Sequence, residues 1–245
     1  AGGFEPWLRL GDSFNGPNDN TSASDWAAVA TKVYEHYATG WPSAIDTSGA
    51  PPWVEIHNEP DGFFWKGTDA AFFDMYSEAW DGVSTLTHPS LQPPAVGGSG
   101  FTAAGVDAWI AGTSGAMVPE FVSQFTLSKL DFLSVHHYNS CDTASLPAAA
   151  DYLRDVRDSF DVAGGGGTPL ALTEWNIGLG DACGQPLYAD RQTAAYAAAM
   201  LVLMSDPGLD VQRAYFYAGE PIMSLFEQDE DLLEFSVNPS AWAML

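Results

Sequence analysis

Positive charge is scarce in this sequence: 8 lysines and arginines stand against 32 aspartates and glutamates, a formal net charge of -24. So acidic a surface repels phosphate backbones and anionic lipid, which argues against nucleic acid and membranes as partners. It suits solubility in salty or extracellular surroundings, so a secreted or extracytoplasmic setting is favoured. Long apolar runs are also missing, and no stretch approaches the roughly 20 residues that span a bilayer. Ala1-Gly2-Gly3 carries neither the charged region nor the apolar core of a signal peptide, as a processed or trimmed chain would not. Cysteine is limited to Cys141 and Cys183. Each follows a candidate catalytic strand, so both are expected in rim loops, where a disulfide and free thiols are equally compatible. The glycine run 164–167 lacks phosphate-loop spacing and reads as a turn.

What is abundant is apolar: 46% of the 245 residues are hydrophobic and 13% aromatic, which excludes disorder and suffices for one large core. Candidate strands begin near residues 4, 53, 94, 131, 169 and 213, each separated by room for a helix. That alternation predicts an α/β fold, parallel strands joined by crossover helices, in a single domain over 1–245. The first strand is Phe4 to Leu10. A helix follows from a cap at Ser24 or Asp25 to about Gly40, with Trp26, Val29, Ala30, Val33, Tyr34 and Tyr37 on its apolar face. Thr68 caps another, burying Phe72, Phe73, Met75, Tyr76 and Trp80. Pro94 to Gly98 and Asp131 to Tyr138 read as strands, with a helical region between them. Leu146 to Phe160 and Arg191 to Ser205 read as helices, and Arg213 to Tyr217 as the last clear strand. The acidic and apolar tail after Met223 has no secure assignment.

Two of these segments have one form. Trp53-Val54-Glu55-Ile56-His57-Asn58-Glu59-Pro60 is an apolar run finishing on Glu59, where Pro60 has no N–H to extend the ladder. Thr168 to Asn176 is a second such run, finishing on Glu174. The C-terminal ends of parallel strands are where catalytic side chains collect. Two strands that bring one carboxylate each to a common rim meet the requirement of glycoside hydrolysis: an acid for the leaving oxygen and a carboxylate for the anomeric carbon. Either motif alone is a weak signal; the pair, spaced for three βα units, is much stronger. Asn58 is suited to a sugar hydroxyl, and His136 and Tyr138 share a strand face between the two glutamates. Trp65, Trp175 and Phe63 suit either sugar stacking or ordinary packing. His136 and His137 invite a metal reading, but adjacent strand residues point to opposite faces, so no metal site is expected.

The segments VEIHNEPDGFFW (Val54 to Trp65), VHHY (Val135 to Tyr138) and LTEWN (Leu172 to Asn176), in that order, resemble the clan A glycoside hydrolases, most closely family 39 with its β-xylosidases and α-L-iduronidases. The resemblance implies a TIM (β/α)8-type barrel that needs no cofactor and takes an oligosaccharide or glycoside substrate. It implies a retaining mechanism on β-linked glycosides, with Glu59 as general acid/base and Glu174 as nucleophile. Asn58, His136 and Tyr138 fall where the clan places supporting residues, Trp175 is a substrate contact, and Arg9 becomes a rim residue of the preceding strand. In that alignment the Trp53 strand is the barrel's fourth, so the first two βα units are missing and about six are visible. Completion by an N-terminal segment or by self-association is then expected, and a non-catalytic carbohydrate-binding remnant is the rival reading.

Overall fold

The computed structural model describes residues 7–11, 22–38, 52–86, 93–141, 145–179, 191–217, 226–229 and 234–237. Its elements in chain order are β1 (Trp7–Leu10), α1 (Ala23–Ala38), β2 (Trp53–Ile56), α2 (Asp69–Ser84), β3 (Ala95–Phe101), α3 (Ala103–Ile110), α4 (Met117–Phe125) and β4 (Leu133–Tyr138). There follow α5 (Leu146–Phe160), β5 (Leu170–Asn176), α6 (Arg191–Met204), β6 (Val211–Phe216), β7 (Phe226–Asp229) and β8 (Glu234–Val237). Strands β1 to β6 form one sheet in sequence order. Neighbouring strands run parallel, with Trp7 paired to Trp53 and Trp53 to Ala95. Between β4 and β5, Leu133 N–H donates to Pro169 and, further along both strands, Asn139 N–H donates to Asn176, so this pair is parallel too. Parallel strands in sequence order, with helices in the crossovers, are the architecture of the (β/α)8 barrel with six of its strands among the described residues.

By packing, the chain divides into two units, residues 1–135 with 160–169 and residues 136–159 with 170–245. In the first, strand alternation separates two faces. Leu10, Val54, Ile56 and Val96 are buried. Trp7, Arg9, Trp53 and Glu55 lie on the other side, where Trp7, Trp53 and Phe132 pack with ring centroids 4.9–5.7 Å apart. Against the helices, Tyr76 lies 4.7 Å from Phe121 and 4.8 Å from Phe125, and its hydroxyl donates to the Lys129 carbonyl at 2.9 Å. Burial raises the Tyr76 pKa well above its ordinary value. In the second unit the core is built from Tyr152, Leu153, Val156, Leu172, Trp175, Tyr196 and Met200.

Several boundaries depart from the sequence reading. Helix α1 starts at Ala23 and its cap is Ser22, whose Oγ accepts from Asp25 N–H at 3.2 Å. Of the expected apolar face Ala30 and Tyr34 are buried, joined by Ala27, while Val29 is exposed. Thr68 does cap α2, accepting from Ala71 N–H at 3.2 Å. Strand β3 runs to Phe101 rather than Gly98, because its glycines let the chain pass close to its neighbours; a Cβ on Gly97 would collide with the Phe132 carbonyl. The long helical region before β4 is two helices. The tail contains an antiparallel pair, β7 with β8, in register Phe226 with Val237. Phe4 to Pro6 of the expected first strand lie outside the described residues.

Candidate active site

The first carboxylate stands on a turn, not on a strand. Strand β2 stops at Ile56, and His57 and Glu59 take left-handed conformations, with φ of 70° and 44°. Non-glycine residues pay for such angles unless their surroundings over-determine them. Here they do: His57 N–H extends the ladder to the Leu10 carbonyl at 2.6 Å, and Glu59 N–H is shared between the Ser99 and Gly100 carbonyls of β3 at 3.1 and 3.2 Å. Gly62 N–H closes the turn on the Glu59 carbonyl at 3.0 Å. The strand-end placement expected for Glu59 is therefore corrected by three residues, because the positive φ at His57 ends the pleat before Pro60 is reached.

Asp61, which the sequence reading passed over, secures this turn. Its carboxylate accepts from Thr102 Oγ1 at 2.6 Å and from Thr102 N–H at 3.1 and 3.2 Å, and Thr102 in turn caps α3 through Gly105 N–H. Burial raises the Asp61 pKa, the Thr102 hydrogen bonds oppose the rise, and the nearby Glu59 charge adds to it. A signal was available: aspartate directly after a glutamate-proline step is turn chemistry. Gly105 fits because a Cβ there would collide with the Asp61 carboxylate.

Asn58 is buried, at 3% exposure, and its Oδ1 has no hydrogen-bond partner among the described residues. Trp65 packs edge-on against His57 and Phe72, centroids 5.8 and 5.6 Å away, and its indole N–H donates to the Thr68 carbonyl at 3.1 Å. It supports the turn from beneath. Arg9, expected at the rim, makes an internal ion pair. Its Nε lies 2.5 Å from Oε2 of Glu55, which is wholly buried in the middle of β2 and also accepts from Trp7 Nε1 at 3.4 Å. A buried carboxylate requires such pairing.

In the second unit, Glu174 lies within β5, two residues before its end, because the Trp175 and Asn176 carbonyls still accept ladder bonds from Tyr217 and Asn139. Tyr138 Oη donates to Glu174 Oε2 at 2.6 Å, and His136 Nδ1 lies 3.5 Å from the same oxygen. The His136 carbonyl accepts from Tyr152 Oη at 3.0 Å. His137 points to the other face, stacked on Tyr152 at 4.5 Å with Nε2 3.3 Å from Asn139 Oδ1. Burial lowers its pKa and the Asn139 contact partly opposes this. The expected separation of the two histidines follows from strand alternation.

The same alternation corrects Trp175, which turns away from Glu174 into the core, 1% exposed, with Phe216 at 5.1 Å and Tyr196 at 6.4 Å. Asn176 was missed as a structural residue: its Nδ2 donates to the Tyr217 carbonyl at 3.0 Å and its Oδ1 accepts from Ile177 N–H at 2.7 Å, stiffening the strand end that carries Glu174. Cys141 is disulfide-bonded, and the sequence holds one other cysteine, Cys183, which lies outside the described residues. No helix among the described residues is long and apolar enough to cross a membrane.

Solved structures share this arrangement of elements. A GH39 β-xylosidase from Caulobacter crescentus superposes with a TM-score of 0.64 at 20% identity, over 92% of this chain and 47% of that one. An α-L-arabinofuranosidase from Thermotoga maritima gives 0.66 at 16%, over 98% and 48%. A glucosidase from Croceicoccus marinus gives 0.59 at 23%, over 82% and 39%. The chain has the fold of these glycosidases. It resembles the clan A glycoside hydrolases, family 39 among them, and spans about half the length, or less, of the structures it matches. No family model and no curated protein matches it.

Proposed function

We propose that this chain is a retaining glycoside hydrolase for β-linked glycosides, with Glu174 as nucleophile and Glu59 as general acid/base. The observation that carries the reading is the short hydrogen bond from Tyr138 to Glu174. A phenol donating to one carboxylate oxygen fixes the orientation of the carboxylate and leaves the other oxygen to attack. Glu59, on a turn beside β3 and at the same end of its strand as Glu174 is of β5, protonates the leaving oxygen in the first step. Glu174 bonds to the anomeric carbon, the aglycone departs with the Glu59 proton, and Glu59 then takes a proton from the water that releases the sugar. The two inversions return the original configuration. Asn58 Oδ1, buried and unmet, accepts from a sugar hydroxyl, and His136 approaches the same Glu174 oxygen that Tyr138 holds.

Arg9, Trp65 and Trp175 are left out of the substrate contacts, since their polar atoms or rings are engaged elsewhere. The named β-xylosidase and α-L-arabinofuranosidase with this fold make pentosides the first substrates to try. The test is hydrolysis of a panel of aryl β-glycosides, β-xyloside included, by the chain and by Glu174→Gln, with the product anomer read by proton NMR. Turnover that vanishes in the variant and gives retained configuration supports the proposal. An inverted product, or a variant as active as its parent, overturns it. Binding without turnover would favour a carbohydrate-binding protein instead.

A further inference from the structure

Between α3 and α4 lies an open groove of about 660 Å³ lined by Trp109, Thr113, Ser114, Glu120, Ser123 and Gln124. This volume falls in the range of small-molecule sites. Trp109 is half-buried, and its indole makes no hydrogen bond and no ring contact among the described residues. A tryptophan in a core or crevice ordinarily finds a partner for its N–H, so this one offers both a flat apolar face and a donor. Around it stand hydroxyls, one amide and one carboxylate, with the Pro119 ring beside them. The connecting turn places Gly112 and Gly115 at φ of 70° and 73°, and a Cβ on either would meet nothing within 4 Å, so the mouth of the groove is open.

We propose that this groove is a second carbohydrate site, which takes neutral pyranose units of a polysaccharide chain. The apolar face of a pyranose ring with equatorial hydroxyls matches the indole plane. Its rim hydroxyls match the acceptors and donors of Glu120, Gln124, Ser123 and Thr113. The Glu120 charge, on a chain of net charge -24, selects against uronate-rich chains. Such a site would hold polymer on the protein without touching the reacting bond. The ligand class rests on the glycosidase reading, but the binding does not require turnover.

The test therefore uses the Glu59→Gln/Glu174→Gln chain, in which cleavage is silent. Its retardation in gels containing soluble neutral xylan or β-glucan is compared with that in polygalacturonate. Trp109→Ala is expected to weaken retardation by neutral polymer by about tenfold. Glu120→Ala/Gln124→Ala, two exposed changes on α4 that leave folding intact, should weaken it in the same direction, and polygalacturonate should retard none of the chains. A parent that is not retarded by neutral polymer overturns the inference. So does retardation unchanged in the Glu120/Gln124 variant, even if Trp109→Ala loses binding along with thermal stability. A chain that binds here yet never hydrolyses a glycoside would refute the hydrolase reading and leave this one standing.

Discussion

Tyr138 Oη donates to Glu174 Oε2 at 2.6 Å, between side chains carried by neighbouring strands β4 and β5. A hydrogen bond to a charged acceptor contributes about 1.5–3 kcal/mol. Tyr138→Phe should therefore lower kcat on an aryl β-glycoside by roughly tenfold to a hundredfold, at 1.36 kcal/mol per factor of ten. KM and the thermal midpoint should stay close to those of the parent. A kcat that does not move would remove Tyr138 from the site.

Asp61 joins the Glu59 turn to the start of α3 through three contacts with Thr102. Asp61→Ala strands the Thr102 donors and should destabilise the fold by about 1–3 kcal/mol, read as a lower urea midpoint at constant m-value. Because the turn also carries Glu59, loss of activity should be larger on glycosides with poor leaving groups than on activated ones, which need no protonation. Equal losses on both would mean that the Asp61 contacts do not reach Glu59.

The pair of Arg9 with buried Glu55 predicts an asymmetry. Arg9→Met alone leaves an uncompensated carboxylate in the interior and should cost about 3–5 kcal/mol. Replacing both residues with methionine should recover most of that loss, because two desolvation penalties disappear with the charges. A double variant no more stable than Arg9→Met would show that Trp7 and the strand register, not the ion pair, govern this position.

Stability should depend on pH through His137. Its folded pKa is lowered from 6.5, chiefly by burial, so the unfolded chain binds a proton that the folded chain refuses. The contribution is fully present above about 6.5 and is lost as pH falls from there toward the folded pKa. Urea midpoints measured downward from pH 7.5 should therefore decline from about pH 6.5, and His137→Gln should flatten that decline. An unchanged slope in the variant would assign the dependence to other groups.

Much of this was legible from the chain. The β/α alternation predicted parallel strands joined by crossover helices, with six candidate strands. Thr68 as a cap, the Leu146–Phe160 helix and the opposite facing of His136 and His137 each follow from local rules of capping and period. Errors collected where the backbone leaves the common regions. Nothing in the alternation of Val54 and Ile56 announces that His57 turns to positive φ, which moves Glu59 off the strand. Trp175 could be read either as sugar platform or as core, and only its position beside Tyr196 and Phe216 decides for the core.

Residue order and hydrophobic period by themselves determined the element types, their parallel arrangement and the two glutamate-bearing segments, because these depend on short-range sterics and on which side of a strand a residue falls. Tertiary structure alone decided the partners. That Arg9 answers Glu55, Asp61 holds Thr102 and Tyr138 aims at Glu174 depends on register between strands distant in sequence, where a hydrogen bond is made or lost within a few tenths of an ångström.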